Sequence, residues 1–192
     1  PPPDRASRTA RCKAVDYGGC VSGDTRVALA SGADRLIRDV TVGERNLSVN
    51  PDTKAITPAV VKEVLVHRDR TYTLNTLRLS PGQVLEITGN HPVLTEERQW
   101  VPVESLEPGD TIFVLTPTSP RAVKERVVSI VRDSSQSQVV YNLLTTAGNY
   151  FANELLVHNK CLARGALIDT PLGPVAIEAL KPGHVVYGAI DG

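Results

Sequence analysis

The chain has 192 residues, 41% of them hydrophobic, which is enough for one domain with a real core plus a fragment of a second. Basic and acidic side chains balance at 21 each with no Lys/Arg block, and this argues against nucleic acid or an anionic membrane as partner, because phosphate binding rests on basic charge. No apolar run approaches a membrane span and no signal peptide opens the chain, so a cytoplasmic location is expected.

Residues Pro1 to Gly19 begin with three prolines and stay polar, without helical or strand periodicity, and are expected to form a disordered flank. The flank ends Tyr17-Gly18-Gly19-Cys20, where the glycine leaves its carbonyl unshielded by a side chain. A start at Pro1 without any Met reads as an excised or engineered segment. From Cys20 onward, short segments rich in Val, Leu, Ile and Thr alternate with Gly, Pro, Asn and Asp. Thr25 to Leu29, Val60 to Val66, Thr71 to Leu77, Gln83 to Thr88, Thr111 to Leu115, Val127 to Val131 and Val139 to Leu144 read as strands, as does the apolar Leu155-Leu156-Val157. Helix is restricted to a turn or two near Leu36 to Val40, Val103 to Leu106 and Pro120 to Glu125, so the predicted fold class is all-β.

An internal repeat runs through these segments. Val27, Ile37, Val40 and Gly43 recur as Val93, Val103, Leu106 and Gly109 at a constant offset of 66. Leu167, Ile177, Leu180 and Gly183 keep the pattern at an offset of 140, opened by Cys161 as the first copy is by Cys20. The chain therefore divides into a flank 1–19, a two-halved domain 20–159 and a second flank 160–192 that resembles the start of another such domain.

The chemistry sits at the edges of the central domain. Three cysteines, Cys12, Cys20 and Cys161, cannot close a disulfide framework, and no CxxC or HxxxH spacing offers a local metal site, so reactive thiols are the better reading. At the far edge stands Val157-His158-Asn159-Lys160-Cys161. An asparagine side-chain amide held beside its own main-chain carbonyl can attack it, close a succinimide and release the next residue, with the preceding imidazole managing protons. His67, in the polar tip Val66 to Arg70, and His184, after Pro182-Gly183, are expected to be solvated loop and turn residues. Trp100 is expected to be a half-buried strand anchor.

Cys20-Val21-Ser22-Gly23-Asp24-Thr25, Thr88-Gly89-Asn90-His91, Val140-Tyr141-Asn142-Leu143 and Val157-His158-Asn159 occur in that order. Together they resemble the sequence blocks of the Hint superfamily: inteins, bacterial intein-like domains and the autoprocessing domain of hedgehog proteins. The resemblance covers Cys20 to Asn159, the size of a minimal member. No room is left for a homing endonuclease, since Pro117 to Lys124 reads as a short loop. It implies a flattened horseshoe of β-strands with pseudo-two-fold halves. It also implies that Cys20 attacks the Gly19 carbonyl in an N-to-S acyl shift, with His91 as proton donor and Thr88 polarising that carbonyl. His158 would assist Asn159 cyclisation, which releases Lys160. No cofactor, metal or nucleotide is implied. The chain would be a monomer whose substrate is its own flanking segments, and each molecule would react once.

Three departures from the family pattern shape the expected products. Splicing inteins carry Cys, Ser or Thr after the terminal Asn, whereas here Lys160 stands there and Cys161 follows one residue late. Asn142 occupies a position where many inteins carry an acid, and Gly148 or Asn149 replaces a histidine that often follows it. The third departure is the segment after Asn159, which resembles a further first block. These features point to a bacterial intein-like domain that cleaves before Cys20 and after Asn159, with ligation slower, by aminolysis or through Cys161. Rival readings are a trans-acting cysteine hydrolase using Cys20 and His91, and a structural β spacer whose self-cleavage is lost.

Overall fold

The computed structural model describes residues 19–50, 53, 55–80, 82–116, 120–159, and, near the C-terminus, 167–168, 170–171, 173–176, 179–180 and 184–186. The chain forms two compact units, one holding residues 19–159 and one holding the described C-terminal residues.

In the first unit the strands come as two series. The first is β1 (Val21–Ser22), β2 (Arg26–Ala28), β3 (Asp34–Leu36), β4 (Arg45–Val49), β5 (Ile56–His67), β6 (Tyr72–Leu79) and β7 (Val84–Ile87). The second is β8 (Pro92–Leu94), β9 (Trp100–Pro102), β10 (Thr111–Leu115), β11 (Ala122–Ser137), β12 (Val140–Thr145), β13 (Asn149–Ala152) and β14 (Leu155–His158). Pairing is antiparallel throughout, in the order β3-β2-β13-β14-β10-β11-β6-β7-β1-β12-β5-β4, with β8 joined to β14 and β9 to β8. Among the described residues of this unit two short 3-10 turns interrupt the strands, at Ile37–Asp39 and Val103–Ser105, so the fold is all-β.

The offset of 66 is a structural repeat. β2 and β3 with the turn at Ile37 match β8 and β9 with the turn at Val103, residue for residue. The β4–β5 register Arg45↔Val60 to Val49↔Ile56 reappears as Thr111↔Arg126 to Leu115↔Ala122 in β10–β11. Gly43 and Gly109 take the same left-handed backbone, φ +92° and +101°, and each donates its N–H to the equivalent carbonyl, of Val61 and Val127.

Four expectations fail here. Pro120 to Glu125 is not helical: Ala122 onward belongs to β11, because pairing with β10 overrides weak local preference. For the same reason the loop expected at Pro117 to Lys124 is shorter, with Ala122–Lys124 inside the strand. His67 is the last residue of β5, partly buried and 6.3 Å from the Tyr72 ring, not a solvated loop residue. Gly19, expected at the end of a disordered flank, is buried.

The hairpin β13–β14 lies between β2 and β10 in the sheet order. Its two-residue turn, Asn153-Glu154, has both φ positive (44° and 70°), the backbone that matches strand twist. Side chains alternate in period two: Leu155 and Val157 enter one core with Tyr150 and Ala152, while Leu156 and Phe151 enter the other. Leu155, Leu156 and Val157, almost wholly removed from water, each contribute roughly 1.5–3 kcal/mol. That burial, together with pairing to β10, β13 and β8, holds the strand's last residue in a fixed place.

In the second unit, β15 (Leu167–Ile168) and β16 (Val175–Ala176) pair antiparallel. Their register, Leu167↔Ala176 and Ile168↔Val175, is one residue out of step with Val27↔Arg35 and Ala28↔Asp34.

Candidate functional site

Cys20 enters the unit 1% exposed, directly before β1, and β1 is held between β7 and β12. That placement fixes the Gly19–Cys20 peptide bond against the loop after β7. The Cys20 N–H donates to Thr88 Oγ1 at 2.8 Å, and the Thr88 N–H donates back to the Cys20 carbonyl at 2.9 Å. Thr88 spends its own hydroxyl hydrogen on Asn90 Oδ1 at 2.8 Å. A hydroxyl has one hydrogen to give, so the expectation that Thr88 polarises the Gly19 carbonyl is corrected: it holds the amide nitrogen instead.

The Gly19 carbonyl is met by Asn142, from β12, whose Nδ2 donates at 2.6 Å. Both atoms of one peptide bond are therefore gripped by side chains, from opposite sides of the sheet order. Glycine is required there by space, because a methyl group at position 19 would lie 2.1 Å from His91 Cα and 2.2 Å from its Cβ.

His91 is fully buried at the end of the same loop. Its Nε2 lies 2.9 Å from the His158 carbonyl. A carbonyl only accepts, so Nε2 carries the hydrogen and Nδ1 presents a lone pair. Nδ1 makes no hydrogen bond of good geometry. Burial pushes the His91 pKa down to about 4, opposed by the main-chain groups of His158 and Cys20. The ring is therefore neutral near pH 7 and must take a proton before it can donate one from Nδ1.

At the other edge, β14 ends at His158, and Asn159 follows 4% exposed. His158 Nδ1 donates to the Asn159 carbonyl at 2.5 Å, polarising the carbon that a cyclising amide attacks. Burial lowers the His158 pKa, against the pull of that carbonyl, and so favours this neutral donor form. Trp100, in β9 and half-buried, sets its ring edge-on to His158 with centroids 4.7 Å apart. Asn159 donates from its main chain to the Gly148 carbonyl (3.0 Å) and from Nδ2 to the Thr145 carbonyl (3.1 Å).

Cys20, Thr88, His91, Asn142, His158 and Asn159 are thus brought into one linked cluster, with His91 touching both edges: Gly19 on one side and the His158 carbonyl on the other. Lys160, Cys161 and Cys12 lie outside the described residues. His184 is exposed and outside any strand. Asn149 was foreseen only as a replacement, yet it staples the two halves: Oδ1 accepts from the Val49 N–H and Nδ2 donates to the Val49 carbonyl, each at 2.8 Å. Among the described residues no three His, Cys, Asp or Glu side chains gather as a metal would require. No helix there is long and apolar enough to cross a membrane.

Residues 7–168 match the family model described as "Hint module". Over 95 residues the chain is 36% identical to the replicative DNA helicase DnaB of Rhodothermus marinus; this covers 48% of the chain but 10% of that protein, about a tenth of its length. Among solved structures it is similar to Ssp DnaB mini-intein variant M86, at 23% identity and TM-score 0.70, covering 78% of this chain and 98% of that one. The DnaB intein of Synechocystis sp. PCC 6803 gives 24% identity and TM-score 0.68 over 75% of this chain and 100% of that one. The bacterial intein-like domain of Clostridium thermocellum gives 25% and 0.61 over 75% and 100%.

Proposed function

The chain belongs to the Hint module family, a domain with protein-splicing or self-cleavage potential, and from that premise we propose a single-turnover element that cuts its own backbone before Cys20 and after Asn159. The observation that carries this reading is that the would-be substrate already occupies the site. The Gly19–Cys20 peptide is held at its oxygen by Asn142 and at its nitrogen by Thr88. A trans-acting hydrolase would keep that place open for an added substrate.

In the first step the Cys20 thiol attacks the Gly19 carbonyl carbon and Asn142 Nδ2 supports the oxygen as it gains charge. The bare Nδ1 of His91 accepts the thiol proton. The imidazolium so formed is unusually acidic, because burial disfavours its charge, and returns the proton to the Cys20 nitrogen as the carbon–nitrogen bond breaks. The product is a thioester isomer of the starting chain, with nothing gained or lost.

In the second step Asn159 Nδ2 leaves the Thr145 carbonyl and attacks its own main-chain carbon, which His158 Nδ1 polarises. The bond to Lys160 breaks, one amide hydrogen passes to the departing Lys160 amine, and a terminal succinimide remains. Orientation of this kind is worth roughly 7–11 kcal/mol of barrier in well-placed intramolecular reactions. The substrate is the chain's own flanking sequence, within a host precursor. With Lys160 in place of a hydroxyl or thiol residue, cleavage at both edges is the main outcome, and ligation of Gly19 to Lys160 is slower.

An intact-mass time course of the purified precursor, with and without added thiol, tests this. Thiol should release residues 1–19 as a thioester, and the Asn159 terminus should appear one water lighter than its hydrolysed form. Only full-length chain after long incubation under both conditions would refute self-processing. Ligation that survives Cys161→Ala would dismiss a route through that thiol.

A further inference from the structure

Tyr150 is absent from every motif above, yet it sits next to the reacting bond. It lies in β13 with no exposed surface, inside the larger core. A phenol hydroxyl so buried needs a partner, and it donates to Asn142 Oδ1 at 3.0 Å. The Leu143 N–H donates to the same oxygen at 2.7 Å. Two donors fill both acceptor positions of Oδ1 and settle which end of the carboxamide is which. Were the amide reversed, its NH2 would face the Leu143 N–H, which can only donate, and would force the phenol hydroxyl to turn into an acceptor, while its oxygen would face the Gly19 carbonyl. Burial pushes the Tyr150 hydroxyl far above the usual phenol range, so it remains a donor throughout the reaction.

We propose that Tyr150 is a positioning residue for the acyl shift, locking the Asn142 carboxamide with its nitrogen on the Gly19 carbonyl, where negative charge develops. This rests on the self-cleavage reading above. Tyr150 touches no reacting atom in this role and acts through Asn142. The Leu143 N–H, being main chain, holds Oδ1 whatever side chains are changed, so loss of the phenol hydroxyl loosens the amide without freeing it. The effect of Tyr150→Phe is therefore smaller than removal of Asn142 itself.

The test is the rate of thiol-dependent release of residues 1–19 in the full chain. Loss of one oxyanion donor typically costs 10²–10³-fold, so Asn142→Ala is expected to slow release by about that factor and Tyr150→Phe by about 10-fold. Release after Asn159 should change less than about twofold, because the Tyr150 hydroxyl makes no bond to that end and the substitution leaves the main-chain pairing of Tyr150 with Val157 in place. Tyr150→Phe added to Asn142→Ala should slow release no further. A further loss of the same size in the double variant would mean that Tyr150 acts by general packing, and would overturn the inference. Hydrogen exchange at the Asn142 carboxamide in the unsubstituted precursor gives a readout that does not depend on any variant folding. One slowly exchanging side-chain proton is expected, and two fast ones would overturn the inference. If the parent releases 1–19 but Tyr150→Phe releases it equally fast, only the Tyr150 inference falls. If the parent releases nothing, the self-cleavage reading falls and takes the inference with it.

Discussion

The two halves of the central unit are nearly the same object with different contents. The turn Thr25 N–H to Ser22 carbonyl, at 3.1 Å, recurs as His91 N–H to Thr88 carbonyl at 3.1 Å, and the next bond, Ile37 N–H to the Thr25 carbonyl, recurs as Val103 N–H to that of His91. Ser22, Gly23, Asp24 and Thr25 correspond to Thr88, Gly89, Asn90 and His91. In the first half the buried Thr25 hydroxyl faces Ser22 Oγ at 3.4 Å, and the seat is structural. In the second half the same seat holds an imidazole between two junctions of the chain. What separates them is the neighbour. β2 pairs with β13 at Val27↔Ala152, whereas β8 pairs with β14 at Val157↔Val93, and β14 is the strand that ends in His158. A duplicated scaffold supplies two equivalent places, and the path of one strand decides which of them lies between Gly19 and the His158 carbonyl.

The sharpest way to break this comparison is to put the first half's residue into the second. His91→Thr should leave the fold recognisable by circular dichroism while slowing thiol-dependent release of residues 1–19 by about 10²–10⁴-fold, the usual worth of a positioned acid–base group. An unchanged rate would mean that the two seats are chemically alike. Next in size, Gly19→Ala forces a methyl group onto His91 main-chain and side-chain atoms. Both junctions should slow, by about 10²-fold where an ångström of misplacement matters, as read by mass spectrometry. Gly23→Ala, which crowds the Tyr141 ring at 2.9 Å in the first half, should lower the melting temperature and leave the relative rates at the two junctions alone.

The fourth prediction concerns stability against pH. Above pH 6.5 His91 is neutral whether the chain is folded or unfolded. As pH falls, the unfolded chain binds the proton first and the folded state loses stability, until both are protonated below about pH 4. At 1.36 kcal/mol per pKa unit this amounts to about 3 kcal/mol, and the lowered pKa of His158 adds in the same direction. Urea melts of the parent between pH 7 and 4 should show the loss, and His91→Thr should show less of it. The smallest effect is expected at Arg98, which holds φ 59° where the equivalent Gly32 holds 86°. Arg98→Gly should raise stability by up to about 1 kcal/mol, since a left-handed backbone costs roughly 1–2 kcal/mol for a residue with a side chain and glycine's looser unfolded state returns part of that.

Much of this was legible before folding, and the losses have physical causes. The offset of 66 was readable because no insertion separates the halves from β2 to the start of β11, so one spacing serves for glycines, turns and strands alike. The segments Asp34–Leu36 and Pro92–Leu94 escaped as strands, and Trp100–Pro102 was foreseen only through Trp100 as a strand anchor, because three residues show no period and their pairing comes from distant partners. Asn149–Ala152 escaped because a strand buried on every residue beside a turn has no alternation to read. Cys20, His91, His158 and Asn159 stood out because their chemistry is rare; Tyr150 did not, because a buried tyrosine in a β protein is ordinary until its hydroxyl is seen to meet Asn142.

By itself the order of residues determined an all-β chain, its internal duplication, and which side chains at its two edges are able to react. It did not determine which atom each of them addresses. Thr88 reaches the Cys20 nitrogen across 68 residues, and Asn142 reaches the Gly19 oxygen across 123. Those assignments depend on strand register and on the side from which each strand arrives. In a sheet a shift of one residue turns every side chain to the opposite face, so only the assembled structure distributes donors and acceptors around the bond.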